Sequence, residues 1–291
     1  MSKFLTNAAV IDFDNEVKHE YQAADTLRNC VSLRSNVTGE SYKFTRMGAG
    51  IANQKATQAD VTPMDISHGR QTAVLENWNA PEYTDIFDQA EVNFDEKSEL
   101  AKTIAKALGR REDQIIIDAM AAGSYSATPS GADQGYQSTI AGAMTVQQLR
   151  ETALIGLTKR SVDMSDRTIA VTAEGVNQLL ETTPVTSSDY NTVKTLVNGE
   201  IDTFLGLKFK VIASRDEGGL PGDGTATCSA FVFQKASVGY AVGIDMKTTI
   251  DWVAQKTSWL CNGMLKAGAV IRENAGVARI TFDATVNPAQ S

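Results

Sequence analysis

A chain that catalyses a reaction must bring reactive side chains together, and here the supply is thin. His19 and His68 are the whole stock of imidazole in 291 residues, which leaves a histidine general base or a histidine-rich metal centre little to build on. Two acidic runs place carboxylates close enough to share a divalent ion. They are DFDNE, with Asp12, Asp14 and Glu16, and DMSDR, from Asp163 to Arg167. Neither matches a calcium loop, and solvated acidic turns are the plainer reading. GGLPGDGT, from Gly218 to Thr225, lacks the Lys-Ser/Thr pair of a phosphate loop and does not lead into a helix. No GxSxG elbow occurs, and none of Cys30, Cys228 and Cys261 has a histidine beside it. NVT at Asn36 is a glycosylation sequon that means nothing in a cytosolic protein. The sequence therefore names no catalytic residue, no cofactor site and no metal site.

Composition points the same way. A hydrophobic content of 42% supports a real core, enough for one large domain or two small ones. With 27 Lys and Arg against 35 Asp and Glu, the net charge of −8 carries no nucleic-acid footprint. Three scattered cysteines, an odd number, suit a reducing cytosol and read as small core fillers. The first residues lack the pattern of a secretion signal, and no stretch reaches the roughly 18 apolar residues of a membrane span. A soluble, cytoplasmic protein without a membrane role is expected.

Residues 1–38 read as an arm with a weak helix pattern from Glu16 to Val31. Residues 39–88 hold two alternating runs, SYKFTRM and QTAVLENWN, around a Gly-, Ala- and Asp-rich stretch. These predict a long two-stranded ribbon with an elaborated tip. Such a ribbon is not stable alone in water, so Tyr42, Phe44, Trp78 and Tyr83 either pack on the body of their own subunit or wait for a neighbour. A helix then begins near Asn93, where Glu96 completes a capping box. Leu100, Ile104, Leu108, Ile115 and Ala119 form its apolar stripe, and Lys97, Lys102, Lys106, Arg110 and Asp113 face away. Gly109 leaves two possibilities, one long helix or two shorter ones broken there. After Met120 about twenty small and turn-forming residues read as a structureless linker.

A mixed α/β block follows, with a capped helix from Thr145, strand TIAVT, helix GVNQLLE, a short helix in DYNTVKTLVNGEI, and strands in LGLKFKVIAS and AFVFQKASVGYAVG. From Met246 the text is β throughout: TTIDWVAQ, KTSWLCNG, KAGAVIRE and VARITFDATV. The class is α+β. Residues 89–125 and 245–291 would form one helix-and-sheet unit, with residues 126–244 inserted between.

This order of segments resembles the major capsid proteins of tailed bacteriophages, the family with the Hong Kong 97-type fold. FDEKSELAKTIAKALGRREDQIIIDAM is similar to the family's spine helix, and the hairpin before it to the extended loop. LVNGEIDTFLGLKFKVIAS and AFVFQKASVGYAVG resemble phrases of the axial domain, and the terminal β run resembles the peripheral-domain sheet. The resemblance implies a non-enzymatic virion protein, assembled in the bacterial cytoplasm into hexamers and pentamers of an icosahedral head. Packaged double-stranded DNA would be enclosed without sequence-specific binding. It implies a portal protein as partner and leaves a decoration protein open. The short segment before Glu40 leaves no room for a fused scaffold, so a separate scaffolding protein is expected. Tyr42, Phe44, Trp78 and Tyr83 would then be inter-subunit contacts.

Two other functions fit parts of the sequence. An encapsulin-like compartment shares the fold and would be betrayed by a cargo-enzyme gene beside its own. An α+β enzyme with a metal at Asp12, Asp14 and Glu16 would stay monomeric and bind Mg²⁺ or Ca²⁺. The ribbon itself is testable: Phe44→Ala and Trp78→Ala spare the circular dichroism of the isolated subunit if these residues wait for a neighbour, and unfold it if they are core.

Overall fold

The computed structural model describes residues 27–87, 96–129, 133–139, 142–181, 203–213, 217–222 and 225–286. The expected arm helix before Leu27, the Asn93 cap and the short helix in DYNTVKTLVNGEI lie outside these residues.

One sheet has four strands in the order β1 (Ser32–Arg34), β11 (Val238–Val253), β12 (Ser258–Ile271) and β4 (Glu76–Asp85). Helix α1, Glu96–Ala121, packs on it and runs unbroken through Gly109. The close approach falls on the strand instead. A Cβ at Gly263 would overlap Ile104 Cγ2 and come within 2.9 Å of Leu108 Cδ1. KTSWLCNG and KAGAVIRE, expected as two strands, are for this reason one: the glycine between them admits the helix and does not end the strand. Ile104 and Leu108 are buried as expected, but the stripe then moves to Ile116, Ile117 and Met120. Asp113, expected to face solvent, is fully buried. The second half of α1 is enclosed by the segment Leu27–Val31 as well as by the sheet, and the Leu27 N–H donates to Asp113 Oδ1 at 3.0 Å.

The second sheet has seven strands in the order β5 (Tyr125–Ser126), β6 (Gly135–Thr139), β13 (Val277–Phe282), β10 (Cys228–Gln234), β7 (Arg167–Thr172), β9 (Leu207–Ile212) and β8 (Thr203–Phe204). It mixes parallel and antiparallel pairs. The central strands β7 and β10 are almost wholly buried, as their unbroken apolar runs imply. The stretch after Met120, expected to lack structure, supplies β5 and β6. Its small residues serve packing: a Cβ at Gly135 would lie 2.7 Å from the Val277 carbonyl oxygen. VARITF was expected in the terminal sheet, yet β13 pairs with β10 and β6 and so joins the inserted block. The helix from Thr145 has its capping box, with Thr145 Oγ1 accepting from Gln148 N and Gln148 Oε1 accepting from Thr145 N. It spans Val146–Glu151 (α2) and continues through a π-helical turn, Thr152–Leu157. Leu149, Ala153 and Leu157 are buried against Ile169 and Val171, and the helix Ala173–Glu181 (α3) follows β7 directly.

The ribbon pairs β2 (Ser41–Met47) with β3 (His68–Val74), antiparallel, and residues 48–67 form its tip. The expected hairpin does not extend to Asp88. At Leu75, buried and donating its N–H to the Glu40 carbonyl at 2.8 Å, the chain leaves the ribbon. From there β4 pairs with β12 along its length. At this junction a Cβ on Gly268 would collide with the Val74 carbonyl oxygen, a backbone atom that cannot rotate away. Gly268→Ala should therefore cost about 1–3 kcal/mol of subunit stability, read from urea denaturation. A loss under about 0.5 kcal/mol would show that the ribbon base is not fixed there.

Candidate assembly surfaces

Four consecutive residues of α1 together hold three other parts of the chain: β4, the segment from Leu27 and the loop at Glu217 and Gly218. Arg111 Nε pairs with Glu217 at 2.6 Å, and its guanidinium lies 4.1 Å from the centre of the Trp78 ring. Glu112, fully buried, takes the Arg28 guanidinium at 2.9 Å. Asp113 accepts the Leu27 N–H, and Gln114 accepts the Gly218 N–H at 2.6 Å. The Arg28 guanidinium also pairs with Asp245 at 2.8 Å. Burial alone would lower its pKa, but the hydrogen bond to Asp245 and the charges of Glu112 and Asp245 outweigh that, and the net shift is upward. The Tyr240 hydroxyl faces Glu112, and burial, followed by that carboxylate, pushes it far above the ordinary phenol range.

The sequence-named contact residues do not form one patch. Tyr42 and Phe44 meet edge to face, with centroids 4.8 Å apart. Phe44 is 3% exposed, because Gly239 of β11 leaves room for its ring and Arg272 stacks 5.4 Å above it. For Phe44 the structure thus takes the reading in which the ribbon base packs on its own body. Trp78 and Tyr83 belong to β4 and not to the ribbon. Trp78 is half-buried beneath Arg111 against the main core. Tyr83 is exposed, with Lys256 Nζ 3.7 Å from its ring centre. Two ion pairs, Arg46 with Asp133 and with Glu273, tie the distal end of β2 to the second sheet.

Beyond Arg46 the ribbon is free of its own body's core. Met47 (66% exposed), Ile51 (79%), Val61 (78%) and Met64 (51%) present apolar side chains to solvent. The two legs of the tip approach each other where Gly50 faces the Met64 sulfur. Other exposed apolar groups escaped the sequence reading: Ile86 and Phe87 after β4, Leu154 and Ile155 on the π-helical turn, and Trp252 near the β11–β12 turn. A signal existed for Leu154 and Ile155, which lie off the face set by Val146, Leu149, Ala153 and Leu157. Trp252 gave none, since its alternation with Ile250 reads as a core face.

The residues considered for chemistry are scattered. Asp12, Asp14, Glu16 and His19 lie outside the described residues. Asp163 accepts from the Ser165 N–H of its own turn at 3.1 Å, which lowers its pKa, and Asp166 pairs with Lys208 at 2.9 Å with the same effect. His68 begins β3 at the rim of a cleft of about 790 Å³ between the ribbon and the second sheet. The first part of GGLPGDGT, Gly218 to Gly222, docks the second sheet on the helix, because Leu220 is buried in the main core beside the Gly218 contact. Cys228 and Cys261 are buried fillers and Cys30 is half-buried; none is in a disulfide. Among the described residues no group of three metal-ligating side chains converges, and no helix is long and apolar enough to cross a membrane.

The family model for phage capsid proteins matches residues 5–284. The chain belongs to the phage capsid protein family. No curated protein matches it by sequence. Among solved structures, this capsid protein is similar to the capsid of the cyanophage P-SCSP1u, with a TM-score of 0.72 and 14% identity over 97% of this chain and 95% of that one. The capsid of a native GTA particle gives 0.75 and 14% over 97% of each. The head of Helicobacter pylori bacteriophage KHP40 gives 0.75 and 10% over 95% and 96%. TM-scores of 0.72–0.75 over 95–97% of this chain show the shared fold, of the Hong Kong 97 type.

Phe44→Ala should lower the stability of the subunit by about 3–5 kcal/mol, whereas Tyr83→Ala should change it by less than about 1 kcal/mol. Thermal denaturation of the two variants side by side checks the contrast.

Proposed function

We propose that this capsid protein is the major shell subunit of a tailed-phage head, assembling as hexamers and pentamers into an icosahedral container for double-stranded DNA. The observation that carries the reading is the split between a body with closed cores and a ribbon tip that keeps Met47, Ile51, Val61 and Met64 in solvent. At about 3.3 Å per residue, the paired strands carry the tip roughly 23 Å from Ser41, enough to reach over an adjacent copy. Scattered single apolar residues are ordinary on a surface, but four on one projecting loop mark an interaction site. Tyr83, exposed on β4, belongs to the same reading as a contact for a neighbour, and so does the exposed flank of Trp78. Obligate interfaces of this kind bury about 2,000–5,000 Å², and closed symmetry repeats each weak contact around the shell.

The net charge of −8 supports a wall that encloses DNA without gripping it. Repulsion from the packaged genome is screened beyond about 10 Å. A scaffolding protein, a portal protein and assembly in the bacterial cytoplasm complete the proposal, with the virion as the final location.

The tip provides the test. Ile51→Asp combined with Met64→Asp alters two solvent-facing residues, so the subunit should keep its circular dichroism and its urea midpoint. Shell yield by negative-stain microscopy should fall at least about tenfold, a loss that corresponds to about 1.4 kcal/mol. Shells at the wild-type yield would remove the tip from the assembly account.

A further inference from the structure

The segment Leu27–Arg34 meets the body through several elements at once. Leu27 and Val31 are buried in the main core, and the Leu27 N–H reaches Asp113 on α1. Arg28 divides its guanidinium, with Nη1 on Glu112 Oε1 of α1 and Nη2 on Asp245 Oδ2 of β11. Asp245 falls where the pairing of β11 with β12 shifts register on both sides of Ile244. Such a bulge re-aims a side chain that a regular strand would point elsewhere. Beyond these contacts, β1 adds three residues of parallel pairing at the sheet edge. Among the described residues, the charged and titratable groups gathered around Glu112 are Arg28 from the segment, Tyr240 and Asp245 from β11, and Asp113 beside it on the helix.

We infer that Leu27–Arg34 is a latch that docks and undocks as one unit, with Arg28 as its bolt. A carboxylate shut away from water tolerates its charge while a guanidinium lies 2.9 Å away. Taking the guanidinium away favours the undocked state, in which water reaches Glu112. With the ion pair gone, the segment keeps the Leu27 N–H bond to Asp113, the Arg272 bond to the Ser32 hydroxyl, one edge strand and two buried apolar side chains, so opening stays local and leaves β12 in place. The latch sets where the chain preceding Leu27 joins the body. The inference concerns the subunit's own fold and stands whether or not that preceding segment reaches a neighbour.

Hydrogen exchange read by mass spectrometry on the full chain tests it. Arg28→Met should speed exchange of the amides in residues 27–34 by about tenfold or more, while residues 258–271 of β12 keep the wild-type rate. Asp245→Asn removes the solvent-exposed partner alone and should stay within about threefold of wild type. The double variant Arg28→Met with Glu112→Gln removes both charges and should bring residues 27–34 back to within about threefold of wild type. Acceleration of β12 together with residues 27–34, no acceleration in Arg28→Met, or a double variant as open as the single one each overturns the latch. Should Arg28→Met not fold, Arg28→Lys takes its place, since lysine keeps the charge and loses the fork. Faster exchange confined to residues 27–34 then supports the latch, and an unchanged rate overturns it.

Discussion

The structure hangs from one turn of one helix. Arg111, Glu112, Asp113 and Gln114 reach from α1 to three partners: Trp78 of β4, the loop at Glu217 and Gly218, and the segment at Leu27 and Arg28. The ribbon strand's continuation, the segment from Leu27 and the second sheet are thereby registered against a single rigid element. Below that turn, Gly263 lets α1 settle onto β12, which fixes the depth of the helix. Buried charge is a poor source of net stability, since desolvation takes back most of what pairing supplies. It is a good source of register, because a buried carboxylate tolerates few alternatives.

A subunit built this way separates a stiff body from limbs that leave it. Phe44 and Arg272 clamp the ribbon base, Arg46 steadies its middle, and the tip beyond carries apolar groups the body does not cover. Along one ribbon the side chains thus pass from buried at the base to exposed at the tip. The fold shared with solved phage capsids at identities near 10–14% rests on this architecture more than on particular residues.

Much of this was legible in the residues. The capping box at Thr145 and Gln148, the buried strand TIAVT, and the alternation of SYKFTRM each follow from short-range chemistry, and each formed. What escaped depended on contacts distant in sequence. Asp113 looked solvent-facing because helical periodicity knows nothing of Leu27, 86 positions away. QTAVLENWN looked like one strand because nothing local tells Leu75 to turn from the ribbon to β12. Gly263 read as a break because glycine in a strand marks either an end or a close approach, and the helix that decides between them lies far upstream. The exposed tip was least legible: aromaticity singled out Phe44, which is buried in its own subunit, and passed over the exposed Ile51, Val61 and Met64, whose loop has no periodicity to read.

The central claim is that the body is complete alone and the ribbon tip is completed by another copy. An electron cryo-microscopy map of shells assembled from the full chain tests this most directly. The account predicts Ile51, Val61 and Met64 packed against a neighbouring subunit, while α1 and the four-stranded sheet keep the packing described above. A closed shell in which those three side chains lie on their own subunit, or remain in solvent, would contradict it.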